Sequence, residues 1–401
     1  MKLSYITWAV LGLSAALIGC QSDSVTRKNT EESIKTYNIQ PANVSEGFIK
    51  GMDISMLPEM ESMGTKYYDE GSEKDLVKIL SDHGVNYIRA RLWVDPQSVN
   101  GTGFGGGNSD LVRAIELGKR AHANGMKYLL DIHYSDFWAD PKKQFKPKHW
   151  SSLNFDEMVQ KVYDYTDAVM DAHRDAGIVP DMVQVGNELN GGMLWPEGKS
   201  WGGDGKEFDR LSRLLKSGIQ GVKDNTLAGE DIKIMLHLAE AGDNGLFRWW
   251  FDEITKHDVD FDIIGMSYYP FWHGPLTKVR ENIDDVIKRY NKPVIIVETA
   301  FPFVPKGNDD KGPIEGYEVS VNGQAEYLKD LMEMVNATEN NMGLGIFYWE
   351  PAWLGQDATW ATKAGMDYID DHWEEGNAWD NKAMFDPNGN AFPSLDVFNS
   401  K

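Results

Sequence analysis

The chain is 401 residues long, 41% of them hydrophobic, and carries 62 acidic against 40 basic side chains for a formal charge of −22. That charge repels nucleic acid and anionic lipid headgroups, and no basic run offsets it locally, so neither is a partner for the folded body. A single cysteine excludes an internal disulfide and leaves stability to a large core.

At the N-terminus, Lys2 precedes an apolar stretch from Ile6 to Ile18 that runs into Leu17-Ile18-Gly19-Cys20. The stretch is short for a bilayer span and has the layout of a secretion signal. Its end resembles a bacterial lipobox, in which residues 1–19 are removed and Cys20 becomes the acylated first residue. Residues 20–45 are polar, mixed in charge and without apolar periodicity, and read as a tether. Gln21-Ser22-Asp23-Ser24 resembles the export tags that carry lipoproteins to the outer face of the cell. The expectation is an exported protein, lipid-anchored to the outer membrane, meeting the membrane through its anchor only. Residues 46–401 then form one domain. It is longer than a bare eight-stranded barrel of ~250 residues but within the reach of inserted loops.

Eight apolar segments follow with helix-like stretches between them: Phe48 to Ser55, Tyr87 to Val94, Lys127 to Ser135, Met182 to Glu188, Ile232 to Ala239, Asp262 to Pro270, Pro293 to Ala300 and Gly343 to Pro351. This alternation predicts an α/β fold with a parallel sheet, and eight repeats predict closure into a (β/α)8 TIM barrel. Ser72 is expected to cap a helix running to a stop at Gly84, with Asp75 completing a capping box; Asp110 and Asp156 are expected to open two more. Long connections after strands 3, 4, 7 and 8, at Asp136 to Leu153, Asn190 to Glu207, Phe301 to Gly323 and Ala352 to Pro393, all leave the face where such barrels build their sites. These connections are rich in tryptophan: Trp138, Trp150, Trp195, Trp201, Trp353, Trp360, Trp373 and Trp379. Aromatic faces pack against the flat C–H faces of sugar rings. The Gly101 to Gly107 segment lacks a phosphate-loop context and reads as a flexible loop.

Two glutamates carry the chemistry. Glu188 closes MVQVGNE and Glu298 closes PVIIVE, each the first carboxylate after a short apolar strand. Two carboxyl groups facing one another can protonate a leaving oxygen and attack an acetal carbon, which is the equipment for cutting a glycosidic bond with retention. Glu188 is assigned as general acid/base, Glu298 as nucleophile, and Asn187 as the neighbour that reaches the sugar 2-hydroxyl. Arg91, near the end of strand 2, is the candidate for holding Glu298 ionised; Arg89, two residues back, is read as a layer filler or a salt-bridge partner deeper in the barrel. Either Tyr268 or Tyr269 donates to the nucleophile, and adjacent strand residues face opposite ways, so only one of them does. His133 is read as contacting substrate or packing at the rim. Asp131, His133 and His237 would be the ligands of a competing metallohydrolase reading, which lacks a His-x-His on strand 1 and a Cys/His cluster. Trp349 is placed to floor the subsite where the bond is cut.

Several runs together are selective: Gly51 to Ser55, Arg91-Leu92-Trp93, DIHYSDFWADP from Asp131 to Pro141, QVGNELNGGMLWP from Gln184 to Pro196, SYYPFW from Ser267 to Trp272, ETAFP from Glu298 to Pro302, and FDPNGNAFPSL from Phe385 to Leu395. On these runs the chain resembles glycoside hydrolase family 53, the endo-β-1,4-galactanases of clan A. The resemblance implies cleavage inside β-1,4-galactan, the galactose side chains of pectic type I arabinogalactan, without a cofactor for the chemistry. It adds Asp53, Trp93, Asp136 and Trp138 to the expected sugar-binding set. Bacterial relatives often carry a calcium-binding acidic loop after strand 7. Here that loop keeps Asp309 and Asp310, with Asp380 further on, but not the alternating acids, so a structural calcium is not expected with any force. A surface glycan-binding lipoprotein without hydrolysis, or a clan A hydrolase of another β-1,4-glycan such as mannan, are the competing readings.

Overall fold

The computed structural model describes residues 38–307, 312–355 and 357–399. Cys20 and the Asn308–Lys311 stretch, with the expectations that rest on them, lie outside the described residues. Eight strands close into a barrel: β1 (Ile49–Asp53), β2 (Tyr87–Leu92), β3 (Lys127–Ile132), β4 (Met182–Val185), β5 (Lys233–Leu238), β6 (Ile263–Ser267), β7 (Val294–Thr299) and β8 (Gly343–Trp349). Each pairs in parallel with its sequence neighbour, and β8 returns to pair with β1. The strands fall within the apolar segments expected from the sequence because residues buried on both faces must be apolar throughout.

Inside the barrel the strands alternate, and the alternation sorts the core by height. Tyr87, Leu129, Met182, Met235, Ile263, Ile295, Val297 and Phe347 form one sealed cluster drawn from seven of the strands. Two residues further along their strands stand Arg89, Asp131, Gln184 and His237, all buried. The apolar cluster is therefore a floor, and the polar groups lie above it at the C-terminal ends. The residues between these, such as Ile88, Ala90, Leu130 and Val183, face outward against the helices.

Helix boundaries follow caps. α1 (Leu57–Ser62) precedes α2 (Leu76–Asp82), whose N-cap is Asp75 accepting from the Lys78 N–H. Ser72 is not a cap: Ser72–Lys74 pairs with Tyr67–Asp69 as an antiparallel hairpin, so the chain is still extended there. α3 (Leu111–Ala123) opens on Asp110 as expected. α4 (Phe155–Asp175) opens two residues before the expected Asp156, because Asn154 and Glu157 form a reciprocal capping box. The Gly-rich segment is also not a loose loop. Phe104 to Gly107 is buried, and a Cβ at Gly106 would lie 2.8 Å from both the Trp138 and Trp93 rings, so glycine lets the backbone pack against the tryptophans.

The long connections brace one another. Trp138 Nε1 donates to the Trp360 carbonyl (2.9 Å), the Tyr368 hydroxyl to the Lys146 carbonyl (3.0 Å), and Lys143 pairs with Asp371 (3.2 Å), which ties the loop after β3 to the loop after β8. Phe145 bridges Trp195 in the loop after β4. At the floor, β1 and β8 approach closely at Gly51, where an added Cβ would meet the Phe347 ring at 2.3 Å. Gly51→Ala is expected to destabilise the protein by about 1–3 kcal/mol through overpacking, read as a lower midpoint in urea unfolding; an unchanged midpoint would show that the Phe347 ring moves aside freely.

Candidate active site

Arg89, Asp53, Asp131 and Glu298 come from four strands and form one buried charge cluster. The Arg89 guanidinium reaches Asp53 Oδ2 at 2.7 Å, Asp131 Oδ2 at 2.8 Å and Glu298 Oε1 at 2.9 Å, and also donates to Asn187 Oδ1 at 3.0 Å. This corrects the sequence assignment: the arginine beside Glu298 is Arg89, not Arg91. Arg91 sits one pleat higher, bonded to Glu350 Oε1 at 2.5 Å and to the Gly106 carbonyl at 2.9 Å, with its guanidinium 4.5 Å from the centre of a Trp138 ring. Its role is to support the aromatic wall. Burial pushes its partner Glu350 up to about 8, against the pull of Arg91.

Glu298 ends the β7 run and accepts from the Tyr269 hydroxyl at 3.0 Å. Tyr268 points the other way and donates to the Gly274 carbonyl at 2.9 Å, outside the groove. Glu188 stands just past β4 in the left-handed region, at φ 45 and ψ 58. For a residue with a Cβ that conformation costs of order 1–3 kcal/mol, and here it turns the side chain over the barrel mouth, following Gly186 at φ 83. Ser267 Oγ donates to Glu188 Oε1 at 2.7 Å. Both carboxyls are pushed up by burial. Glu188 rises well above the usual carboxylate range, since the charge of Glu298 adds to its desolvation. For Glu298, desolvation is opposed by the Arg89 cation and the Tyr269 bond. The two environments thus differ in kind: the neighbouring charge reinforces the rise of Glu188, whereas a cation and a phenol oppose that of Glu298.

Around the pair lies a groove of about 1240 Å³, lined by Arg89, Arg91, His133, Asn187, Glu188, Tyr269 and Glu298 and walled by Trp138, Trp272, Trp349, Trp353, Trp360 and Trp379. Trp349 and Trp379 meet edge to face at 4.8 Å, and Trp138 lies 6.0 Å from Trp349. Of the expected sugar-binding residues, Asn187, His133, Trp138, Tyr269, Arg91 and Trp349 line this groove. Asp53, Trp93 and Asp136 do not. Asp53 is fully buried under Arg89 and bonded to Ser55. Trp93 is fully buried and donates to His133 Nδ1 at 3.2 Å, which leaves His133 Nε2 to donate to Asp131 at 2.9 Å. Asp136 is tied to the Asp95 and Lys148 amides and joins two loops beneath the rim. Asp53 and Trp93 support groove residues, Arg89 and His133, without facing the groove themselves.

The metal reading of Asp131, His133 and His237 does not fit these contacts, because the Asp131 carboxylate already holds a guanidinium and an imidazole. Among the described residues no group of three or more His, Cys, Asp or Glu side chains is placed to hold a metal. Asp380 pairs with Lys306. Sequence reasoning assigned no role in the site to Ser267, Gln184 or the groove-wall Trp272, and considered His237 only as a metal ligand, whereas it bonds Ser267. The parity of β6 was available as a signal, since Ser267 lies two before Tyr269 and so shares its face.

A sequence profile described as Glycosyl hydrolase family 53 matches residues 49–398. The chain is 35% identical to the endo-beta-1,4-galactanase of Bacillus subtilis strain 168, over 98% of this chain and 94% of that one. It is 35% identical to an arabinogalactan endo-beta-1,4-galactanase of Cellvibrio japonicus strain Ueda107, over 88% and 90% respectively. The solved GH53 catalytic domain of Ignisphaera aggregans superposes with a TM-score of 0.80 at 38% identity, covering 90% of this chain and 98% of that one.

Because Tyr269 donates to the charged form of Glu298, Tyr269→Phe is expected to raise the titration midpoint of that carboxyl. A ¹³C NMR titration, with Glu298→Gln used to assign the resonance, reads it; a midpoint that stays put or falls would show that the bond does not favour the carboxylate.

Proposed function

The chain belongs to glycosyl hydrolase family 53, and on that footing we propose that it is a retaining, endo-acting hydrolase of β-1,4-galactan, the galactose side chains of type I arabinogalactan. The observation that carries the reading is the pair of carboxyls in one tryptophan-walled groove, Glu188 pushed well up by burial and by the charge of Glu298, Glu298 held against Arg89. The groove aromatics suit a neutral polymer, to which the net charge of −22 is indifferent.

In the first step the Glu188 carboxyl gives its proton to the glycosidic oxygen while a Glu298 carboxylate oxygen attacks the anomeric carbon. The glycosidic bond breaks, the leaving sugar departs as an alcohol, and a glycosyl ester forms on Glu298. In the second step the Glu188 carboxylate takes a proton from water, whose oxygen attacks the same carbon and releases Glu298. Arg89 and Tyr269 orient Glu298 in both steps and stabilise its carboxylate before attack and on release. Asn187, whose oxygen is held by Arg89 and whose nitrogen donates to Ala139, is fixed to meet the 2-hydroxyl. No cofactor enters either step.

Cys20 is proposed as the acylated first residue of the mature protein, with the residues up to 37 as its tether and the enzyme domain facing outward from the outer membrane; residues 38–45, expected in the tether, instead belong to the domain, where the Ala42 N–H donates to the Val397 carbonyl at 3.0 Å and Ser45 bonds Asn336. Support is the Leu17-Ile18-Gly19-Cys20 run and its apolar lead.

Glu298→Ala is expected to abolish release of galacto-oligosaccharides from debranched galactan, and Glu188→Ala to lower it by about 10²–10⁴-fold, with galactan binding retained in both. Reducing-sugar release and product chromatography measure this; near-normal turnover in the Glu298 variant would remove the mechanism, and binding without hydrolysis by the unaltered protein would make it a glycan-capture protein instead. In cell fractionation, Cys20→Ser is expected to move the activity out of the membrane fraction. Retention there would sink the anchor.

A further inference from the structure

Ser267 and His237 lie behind Glu188, and the double displacement as written gives them nothing to do. His237 is fully buried on β5, and its Nε2 lies 2.8 Å from Ser267 Oγ, which in turn lies 2.7 Å from Glu188 Oε1. A hydroxyl carries one hydrogen, so Ser267 donates to one of these neighbours and accepts from the other. Which way it points is decided at the far end of the imidazole. Nδ1 of His237 faces two donors, the Gln184 side-chain amide nitrogen at 3.1 Å and the Glu188 backbone N–H at 3.4 Å. Its third neighbour is Asn187 Oδ1 at 3.0 Å. That oxygen is met by Arg89 and Gln184 at 3.0 Å each, whereas the Glu188 backbone N–H has no other acceptor among the described residues, and a hydrogen on Nδ1 would leave it facing a second donor. Nδ1 is therefore the acceptor, and the imidazole hydrogen sits on Nε2. Burial keeps the ring neutral, lowering its pKa well below the ordinary histidine range, with the Arg89 charge adding to the effect.

Resting on the acid/base reading of Glu188, we infer that Ser267, oriented by His237, is a positioning residue that occupies Glu188 Oε1 as a donor and so keeps the catalytic proton on Oε2. The chain of donation runs His237 Nε2–H to Ser267 O, and Ser267 O–H to Glu188 Oε1. In the acid form Oε1 is the carbonyl oxygen and still accepts; in the carboxylate form the same bond strengthens. No proton moves along the chain and no hydroxyl turns between the two chemical steps, so Glu188 cycles its proton on Oε2 alone. A carboxyl free to protonate on either oxygen would present the wrong one to the glycosidic oxygen part of the time. The bond also opposes desolvation, since donation to Oε1 favours the charged form that must act as base in the second step. The other groups facing Glu188 are Glu298 and Asp140, which raise its proton affinity, Arg89, which lowers it, and the Tyr269 phenol.

The test compares Ser267→Thr with Ser267→Val, which match in volume and differ in the hydroxyl, alongside Ser267→Ala. The readouts are the ¹³C NMR titration midpoint of the Glu188 carboxyl and the alkaline limb of kcat/KM on linear β-1,4-galactan. Losing the donor removes stabilisation of the carboxylate, so the midpoint and the limb are both expected to move up by roughly one pH unit in the Val and Ala variants and to stay near wild type in the Thr variant. An unmoved midpoint in Val and Ala would overturn the inference. So would a downward shift, which is what the opposite polarity requires, with Glu188 donating to Ser267. A Glu188→Gln enzyme that hydrolyses galactan at the wild-type rate would instead remove the acid/base role itself, and the NMR midpoint would still report the polarity of the Ser267 bond.

Discussion

One guanidinium, buried where no solvent reaches it, organises the mouth of this barrel. Arg89 is 1% exposed and stands among three carboxylates, from β1, β3 and β7. An isolated buried charge is expensive, and so is each acid alone; together they are tolerated because each satisfies the others' hydrogen-bonding capacity. The cluster sets the order of everything above it. Asp131 orients His133, Asn187 is pinned by its oxygen, and Glu298 is held against the guanidinium at the height of the groove. Burial pushes the Glu298 carboxyl up, and Arg89 limits that rise.

Above the cluster the groove is aromatic, and its rigidity comes from hydrogen bonds at the polar tips of the rings. Trp138, Trp353, Trp360 and Trp379 each donate their indole N–H to a backbone carbonyl. A ring fixed in this way loses little conformational entropy on meeting a sugar, so stacking energy is not spent on ordering the wall. Arg91 contributes from beneath, bonded to Glu350 and with its guanidinium set over the Trp138 ring.

The barrel and the shared groove of Glu188 and Glu298 were legible because both follow from strand chemistry: unbroken apolar runs, then the first acid beyond them. What was illegible depended on height. Arg89 and Arg91 share a face, and only the stagger of the strands decides which of the two meets β7, where the register shifts between Met266 and Ser267 opposite Glu298. The same holds for Asp53, Trp93 and Asp136, which were expected at the sugar and lie buried outside the groove lining. Asn154 outcompeted Asp156 as a cap because its reciprocal bond with Glu157 satisfies two backbone groups where a lone aspartate satisfies one. The glycines at 105–107 read as freedom in one dimension and turned out to be clearance in three.

The loops after β3 and β8 are bonded to each other through Trp138, Tyr368 and Lys143. Although more than two hundred residues separate them along the chain, they are held together as one unit of the rim. A lengthening or shortening of either loop breaks contacts made by the other, so related sequences should change the two in concert. The groove's shape is accordingly altered by paired substitution across the rim rather than by tinkering with one loop at a time.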